Sequence, residues 1–202
     1  EPLRASQHED DFRIFARFLS RSLDARYLER HPAQELIPDL EELFCNGLHR
    51  QPEEIKIQVT VQGVSEDKRA YVSLCMPDAT FIVSTVLLSL EQMKVSRTRY
   101  LANVVPVERG ASGELSAISA THTLTESFMW IELDPRSITI SAEEIKQGLK
   151  MRLETMCQIV DDFTNFRAVM TQLCDQMSTL ISQGPEHDEV HLENIRFLNW
   201  LL

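Results

Sequence analysis

Polar and apolar residues alternate from Ile55 to Gln62, where Ile55, Ile57, Val59 and Val61 are separated by Lys56, Gln58, Thr60 and Gln62. This period of two predicts a half-buried strand ending at Gly63. After the polar turn Ser65 to Lys68, Ala70, Val72, Leu74 and Met76 repeat the alternation, so the two segments are expected to pair as a hairpin. Upstream the spacing is helical. Ser6 and Glu9 have capping-box spacing, and Phe12, Phe15, Phe18 or Leu19, and Leu23 recur at helical intervals, predicting a helix from about 7 to 23. A second helix carries Leu36, Ile37, Leu40, Leu43 and Phe44, with Pro38 expected in its first turn and Gly47 just past its end.

Beyond Pro77-Asp78 the residues Phe81, Ile82, Val83, Val86, Leu87, Leu90 and Met93 predict another helix, and its near lack of charge predicts burial on most sides. An extended stretch follows from Arg97 to Val107, with Pro106 at an edge position or at the strand's end because it has no amide donor. Gly110 and Gly113 mark a turn, Leu115 to Ile118 is a short extended piece, and Thr121 to Thr125 reads as a polar loop. Met129, Ile131 and Leu133 then alternate with Phe128, Trp130 and Glu132, predicting a strand covered on both faces. Last comes the longest pattern. Ser141 and Glu144 form a capping box, and Leu149, Leu153, Met156, Val160, Phe163, Arg167, Met170, Cys174, Met177 and Ile181 make one stripe. Unbroken, this helix is about 63 Å long, against a radius of gyration of roughly 16 Å for a compact chain of this size. A bend or an interchain contact is therefore expected near Arg167.

The order strand, helix, strand, strand, long helix is that of a ferredoxin-like α+β unit, with an extra strand before it and both helices on one face of an antiparallel sheet. The expected organisation is an N-terminal helical subdomain over 1–50, the α+β domain with its long helix over 51–182, and the start of a further helical segment over 183–202.

Composition narrows the function classes. The 202 residues are 43% hydrophobic with a net charge of -11, a field that repels nucleic acid. No apolar run approaches the roughly 20 residues of a membrane span, and Glu1-Pro2-Leu3-Arg4 has no signal-peptide character, so a cytoplasmic protein without membrane association is expected. Cys45, Cys75, Cys157 and Cys174 lie far apart and read as reduced thiols. Both ends read as cut, since no initiator Met is present and Ile195, Leu198, Leu201 and Leu202 run to the last residue.

Enzyme-like strings are few. His187 and His191 stand at i and i+4, but the zinc motif needs Glu directly after the first His and this chain has Asp188 there. No G-x-S-x-G elbow or Gly-rich phosphate loop occurs, and the adjacent Asp161 and Asp162 point in different directions on a helix. The candidates for effector binding are Asp78 and Thr80, at the start of the helix after the second strand, and Arg97 and Arg99, in a small basic cluster with Lys94. The candidates for an interface are Phe128, Trp130, Phe163, Met170 and Met177. No catalytic, cofactor-binding or metal residue is assigned.

Several stretches resemble the N-terminal region of the large bacterial NAD-specific glutamate dehydrogenases. They are Phe81-Ile82-Val83-Ser84-Thr85-Val86, Val104-Val105-Pro106-Val107-Glu108-Arg109, Glu126-Ser127-Phe128-Met129-Trp130-Ile131-Glu132-Leu133-Asp134, Val160-Asp161-Asp162-Phe163 and Phe197-Leu198-Asn199-Trp200-Leu201-Leu202. The resemblance implies an ACT-like domain for amino-acid sensing and subunit assembly. It implies a parent enzyme that deaminates L-glutamate oxidatively to 2-oxoglutarate and ammonia with NAD, the catalytic and NAD-binding groups lying outside this stretch. The partners implied are the remaining domains of the parent chain, further copies in a homo-oligomer, and an amino-acid effector. The reading from another class is a free-standing ACT-like interaction or amino-acid-sensing protein without enzymatic activity.

Overall fold

The period-two segments become strands β1 (Lys56–Gln62), β2 (Arg69–Pro77), β3 (Arg97–Arg109), β4 (Leu115–Ile118) and β5 (Leu124–Leu133). The helical periods become α1 (Glu9–Ser20), α2 (Ala33–Gly47), α3 (Ile82–Gln92), α4 (Ala142–Gln183) and α5 (Glu189–Leu201). This computed structural model describes residues 8–21, 23, 33–62, 69–183 and 189–201. The chain divides into two compact units, Glu1–Met156 and Cys157–Leu202.

All the strands of the first unit join one antiparallel sheet in the order β1-β2-β5-β3-β4, and β1 and β2 pair in the expected hairpin register, Val59 opposite Val72. The β2-α3-β3-β5-α4 path is the ferredoxin-like, ACT-like unit, and β1 takes the sheet position beside β2. Because side chains alternate along each strand, both faces of β5 are used. On one face Phe128 and Trp130 join Tyr71, Cys75, Leu101, Val105 and Val107 in a core with Phe15 and Leu19 of α1 and Leu40, Leu43 and Phe44 of α2. Val72, Leu74, Met76, Met129, Ile131 and Leu133 point the other way and are equally buried. The apolar stripes of α3 and the start of α4, Ile82, Val86, Leu90, Ile145, Leu149 and Leu153, complete that layer. At Ser141 the expected capping box is present: Glu144 N–H donates to Ser141 Oγ at 3.2 Å, and Ser141 N–H to Glu144 Oε2 at 2.7 Å.

Several expectations are corrected. The N-cap position of α1 is His8, without a side-chain cap, and Ser6 lies outside the described residues. Helix α2 begins at Ala33, so Pro38 sits inside it and not in its first turn. Leu36, Asp39 and Leu40 are buried and anchor the helix, whereas Pro38 is exposed, so its missing amide falls on the solvent side. Gly47 is the last helical residue and not a residue past the end; a Cβ there would meet Phe128 Cε1 at 2.3 Å. Its role is close packing. Helix α3 is buried along one side only, leaving Val83 36% and Leu88 53% exposed, because the sheet covers a single face of it. Strand β5 begins at Leu124, inside the stretch read as loop, since β3 extends to Arg109 and supplies a partner for Leu124 at Val107.

In the second unit the backbone stays helical through Arg167 to Gln183, and Glu189–Leu201 forms α5. Phe163 and Phe166 stack at 6.4 Å, as do Phe197 and Trp200 at 6.3 Å, and all four rings are exposed. Met170 and Cys174 are buried and Met177 is half-buried. His187 lies outside the described residues, and nothing is described of the His191 side chain.

Candidate functional site

Glu126 is placed by the same alternation that buries Phe128 and Trp130, so a carboxylate lies on an inward face of β5. Burying a charge is costly unless it is paired and hydrogen-bonded. Two arginines meet that demand. Arg109 donates from Nε to Oε1 and from Nη2 to Oε2, both at 2.6 Å, and Arg50 donates from Nη2 to Oε1 at 2.6 Å. The Cys75 thiol donates to Oε2 at 3.4 Å. Other guanidinium donors reach backbone carbonyls: Arg50 Nη1 to Gln51 and Pro52 at 2.7 and 2.6 Å, Arg109 Nη1 to Gly113 at 2.8 Å and Nη2 to Gly47 at 2.8 Å, while the buried Arg50 Nε has no partner among the described residues. The cluster ties the end of α2, the link to β1, strand β5 and the β3–β4 turn together.

The turn is shaped for this. Gly113 has φ 88°, and a Cβ there would lie 2.5 Å from the Arg50 carbonyl oxygen. Arg50 N–H donates to Gly113 O at 2.9 Å and Leu115 N–H to Leu48 O at 2.8 Å, so segment 48–50 seals the start of β4. Burial raises the Glu126 pKa, but the hydrogen bonds and charges of Arg109 and Arg50 outweigh it and hold the carboxyl below its usual range. Burial and the neighbouring Glu126 charge push the Cys75 thiol far up. The carboxylate is saturated by donors and the thiol is un-ionised, so this cluster holds chain segments together and offers neither a base nor a nucleophile.

A second polar cluster fixes α2. Buried Asp39 accepts from Arg69 and from Arg99 Nη2, the latter at 2.6 Å, and Arg99 Nε pairs with Glu132 at 2.9 Å. Tyr71 donates its hydroxyl to Glu42 and stacks on Trp130 at 5.7 Å, while the Arg99 guanidinium lies 5.1 Å over the Trp130 ring.

These contacts place the effector candidates. Asp78 accepts from Ser127 Oγ at 2.6 Å, and its N–H donates to Thr125 O at 3.1 Å; Thr80 is exposed. Neither caps α3, whose N-cap position is Phe81 in the left-handed region (φ 71°) without a side-chain cap. Arg97 is exposed beside Tyr100, past the far end of α3, while Arg99 is engaged with Asp39 and Glu132 on the opposite side of the sheet. The structure does not bring Asp78 and Thr80 together with Arg97 and Arg99. Phe128 and Trp130 are fully buried in this chain's own core, where α1 and α2 occupy the surface an interface would need. Phe163 is exposed. Among the described residues no group of His, Cys, Asp and Glu has the arrangement of a metal site. The residues that sequence reasoning missed are Asp39, Arg50, Arg109 and Glu126. The available signal was Glu126 itself, a carboxylate in phase with Phe128 and Trp130.

Fold and polar clusters together define an ACT-like α+β module. The family described as glutamate dehydrogenase, ACT1 domain, matches residues 15–149, and the chain belongs to that family. No curated protein and no solved structure matches it.

Proposed function

We propose that this chain is a non-catalytic assembly and regulatory domain of a large NAD-dependent glutamate dehydrogenase of the bacterial type. The observation that carries this reading is the family match over residues 15–149, which spans the whole sheet, α3 and the first two turns of α4. The parent enzyme deaminates L-glutamate oxidatively to 2-oxoglutarate and ammonia in the cytoplasm, and its NAD-binding and catalytic groups belong to other domains. The exposed rings of Phe163, Phe166, Phe197 and Trp200 support an assembly role, since apolar surface of this kind marks interaction sites.

Extending the reading frame past Leu202 tests the proposal. A dinucleotide-binding fold downstream, with NAD-dependent oxidation of glutamate by the full-length product, is the expected result; a stop codon at that point overturns it. For regulation, thermal unfolding of the domain with millimolar amino acids is the measurement, because a ligand that binds only the folded state raises its stability. An upward shift with one amino acid supports sensing, and unchanged melting with all of them leaves assembly alone.

A further inference from the structure

The two edges of the sheet are treated differently. Asp78 N–H donates to Thr125 O, and this sets the hydrogen-bonding phase: even residues of β2 pair with β5, so odd residues pair with β1. In β1 the residues bonded to β2 are therefore Lys56, Gln58, Thr60 and Gln62. Ile57, Val59 and Val61 turn their N–H and C=O groups outward. On β3 the same phase turns Ala102, Val104 and Pro106 outward.

That second edge is blunted at each step. Pro106 has no donor, Val104 N–H donates to Asn103 Oδ1 at 2.8 Å, and Ile118 N–H of β4 donates to Asp11 Oδ1 at 3.0 Å. Segment 48–50 covers the start of β4, and register shifts at Arg97/Arg99 and Glu108/Arg109 twist the strand. These are the usual devices against edge-to-edge pairing. Strand β1 has none of them: its seven residues pair with β2 in continuous register, without proline or bulge. Among the described residues nothing accepts from or donates to the outward groups of Ile57, Val59 and Val61. Beside this edge runs an open groove of about 470 Å³, floored by Ile57 and Val59 and walled by Ala142, Glu143, Lys146 and Lys150 of α4.

We propose that β1 pairs antiparallel with β1 of a second copy of this chain, about a two-fold axis through Val59, making one continuous sheet across the dimer. The sequence of β1 is self-complementary for this register. Val59 meets Val59, Ile57 meets Val61, Lys56 meets Gln62 and Gln58 meets Thr60, so apolar faces apolar and no like charges oppose. Outward-facing Ile57, Val59 and Val61 each find a residue of matching phase, and a slip by one residue would oppose apolar to polar side chains. The groove walls run in opposite directions across the axis, setting Glu143 toward the second copy's Lys150. The inference rests on the assembly role proposed above and assigns that role a surface distinct from the exposed rings of the second unit.

Light scattering on the 202-residue chain is expected to report a dimer. Val59→Pro removes an outward donor without touching the β1–β2 ladder, and Val59→Lys or Val59→Glu sets like charges directly opposite each other; each should raise the dissociation constant about tenfold or more. Mixing the Val59→Lys and Val59→Glu chains should restore a heterodimer, because only this register places position 59 opposite itself. Circular dichroism checks that each variant is folded. A monomeric wild-type chain overturns the proposal, including one that instead captures an acidic extended peptide beside Lys146 and Lys150. A dimer that persists in the folded Val59 variants also overturns it while leaving an assembly role on another surface, and neither result bears on the downstream test of the dehydrogenase reading.

Discussion

Arg109 and Glu126 lie side by side in the interior, with two parallel hydrogen bonds of 2.6 Å from guanidinium to carboxylate. Arg50 approaches the same carboxylate from the link between α2 and β1. The group is buried on all sides, so its balance matters more than its gross attraction.

Removing Glu126 leaves two buried guanidinium groups facing each other. Glu126→Ala is expected to lower stability by about 3–5 kcal/mol, the usual cost of breaking a buried pair from one side. Urea unfolding measures it, and a loss below about 1 kcal/mol would show that the arginines find water instead.

The same carboxyl sets a pH dependence. Its folded pKa is depressed, so the folded chain keeps the charge after an unfolded Glu, with a pKa of about 4.3, has taken up a proton. The contribution is complete above that value and is lost as pH falls through the folded pKa. Stability should hold level down to about pH 5 and decline below it, with a shallower decline in Glu126→Gln. Parallel acid curves for wild type and variant would contradict this assignment.

Two glycines should respond in opposite directions. Gly113→Ala forces a side chain into a left-handed backbone at φ 88° and against the Arg50 carbonyl, and should cost at least about 1–2 kcal/mol. Gly148→Ala meets only the flexible Met93 thioether, at 2.8 Å, and removes a helix-interior glycine, which is worth about 0.5–1 kcal/mol in favour of alanine. Unfolding both variants in urea tests the contrast; equal losses would refute it.

Phe128 packs edge-on against Phe15 at 4.9 Å within the first unit. Phe128→Ala should therefore cost about 3–5 kcal/mol in stability and leave subunit number unchanged. Light scattering alongside denaturation decides this, since an interface residue would change the association state at little cost to the fold.

Thiol chemistry should follow burial. Cys45 is exposed whereas Cys75 is buried with its pKa far above the usual thiol range. In the native chain Cys45 should react with a disulfide reagent, and Cys75 only at the rate of unfolding. Rapid native labelling of Cys75, located by peptide mapping, would rule out the buried cluster as described.

The periods of two and of 3.6 residues by themselves determined that this chain builds strands at 56–62, 69–77 and around 129–133, a helix between them, and a long helix behind the Ser141 cap. Local backbone geometry sorts apolar side chains to one side, and that sorting is written in spacing. The pattern also showed that β5 is covered twice. Tertiary structure alone decided what covers it. Nothing in the spacing of Phe15, Leu40 or Phe44 says that α1 and α2 lie on the sheet, because an amphipathic stripe carries no address. Glu126 looked like an ordinary polar residue until Arg50, 76 positions away, and Arg109 were brought to it. Pro38 was misplaced because burial of Leu36 and Asp39 outweighs the local preference for a helix start. The edges of the sheet were invisible for the same reason. Strand β1 reads like any half-buried strand, and only the pairing order shows that one side of Ile57, Val59 and Val61 is left open among the described residues, since which backbone groups remain unpaired depends on neighbours far away in the chain.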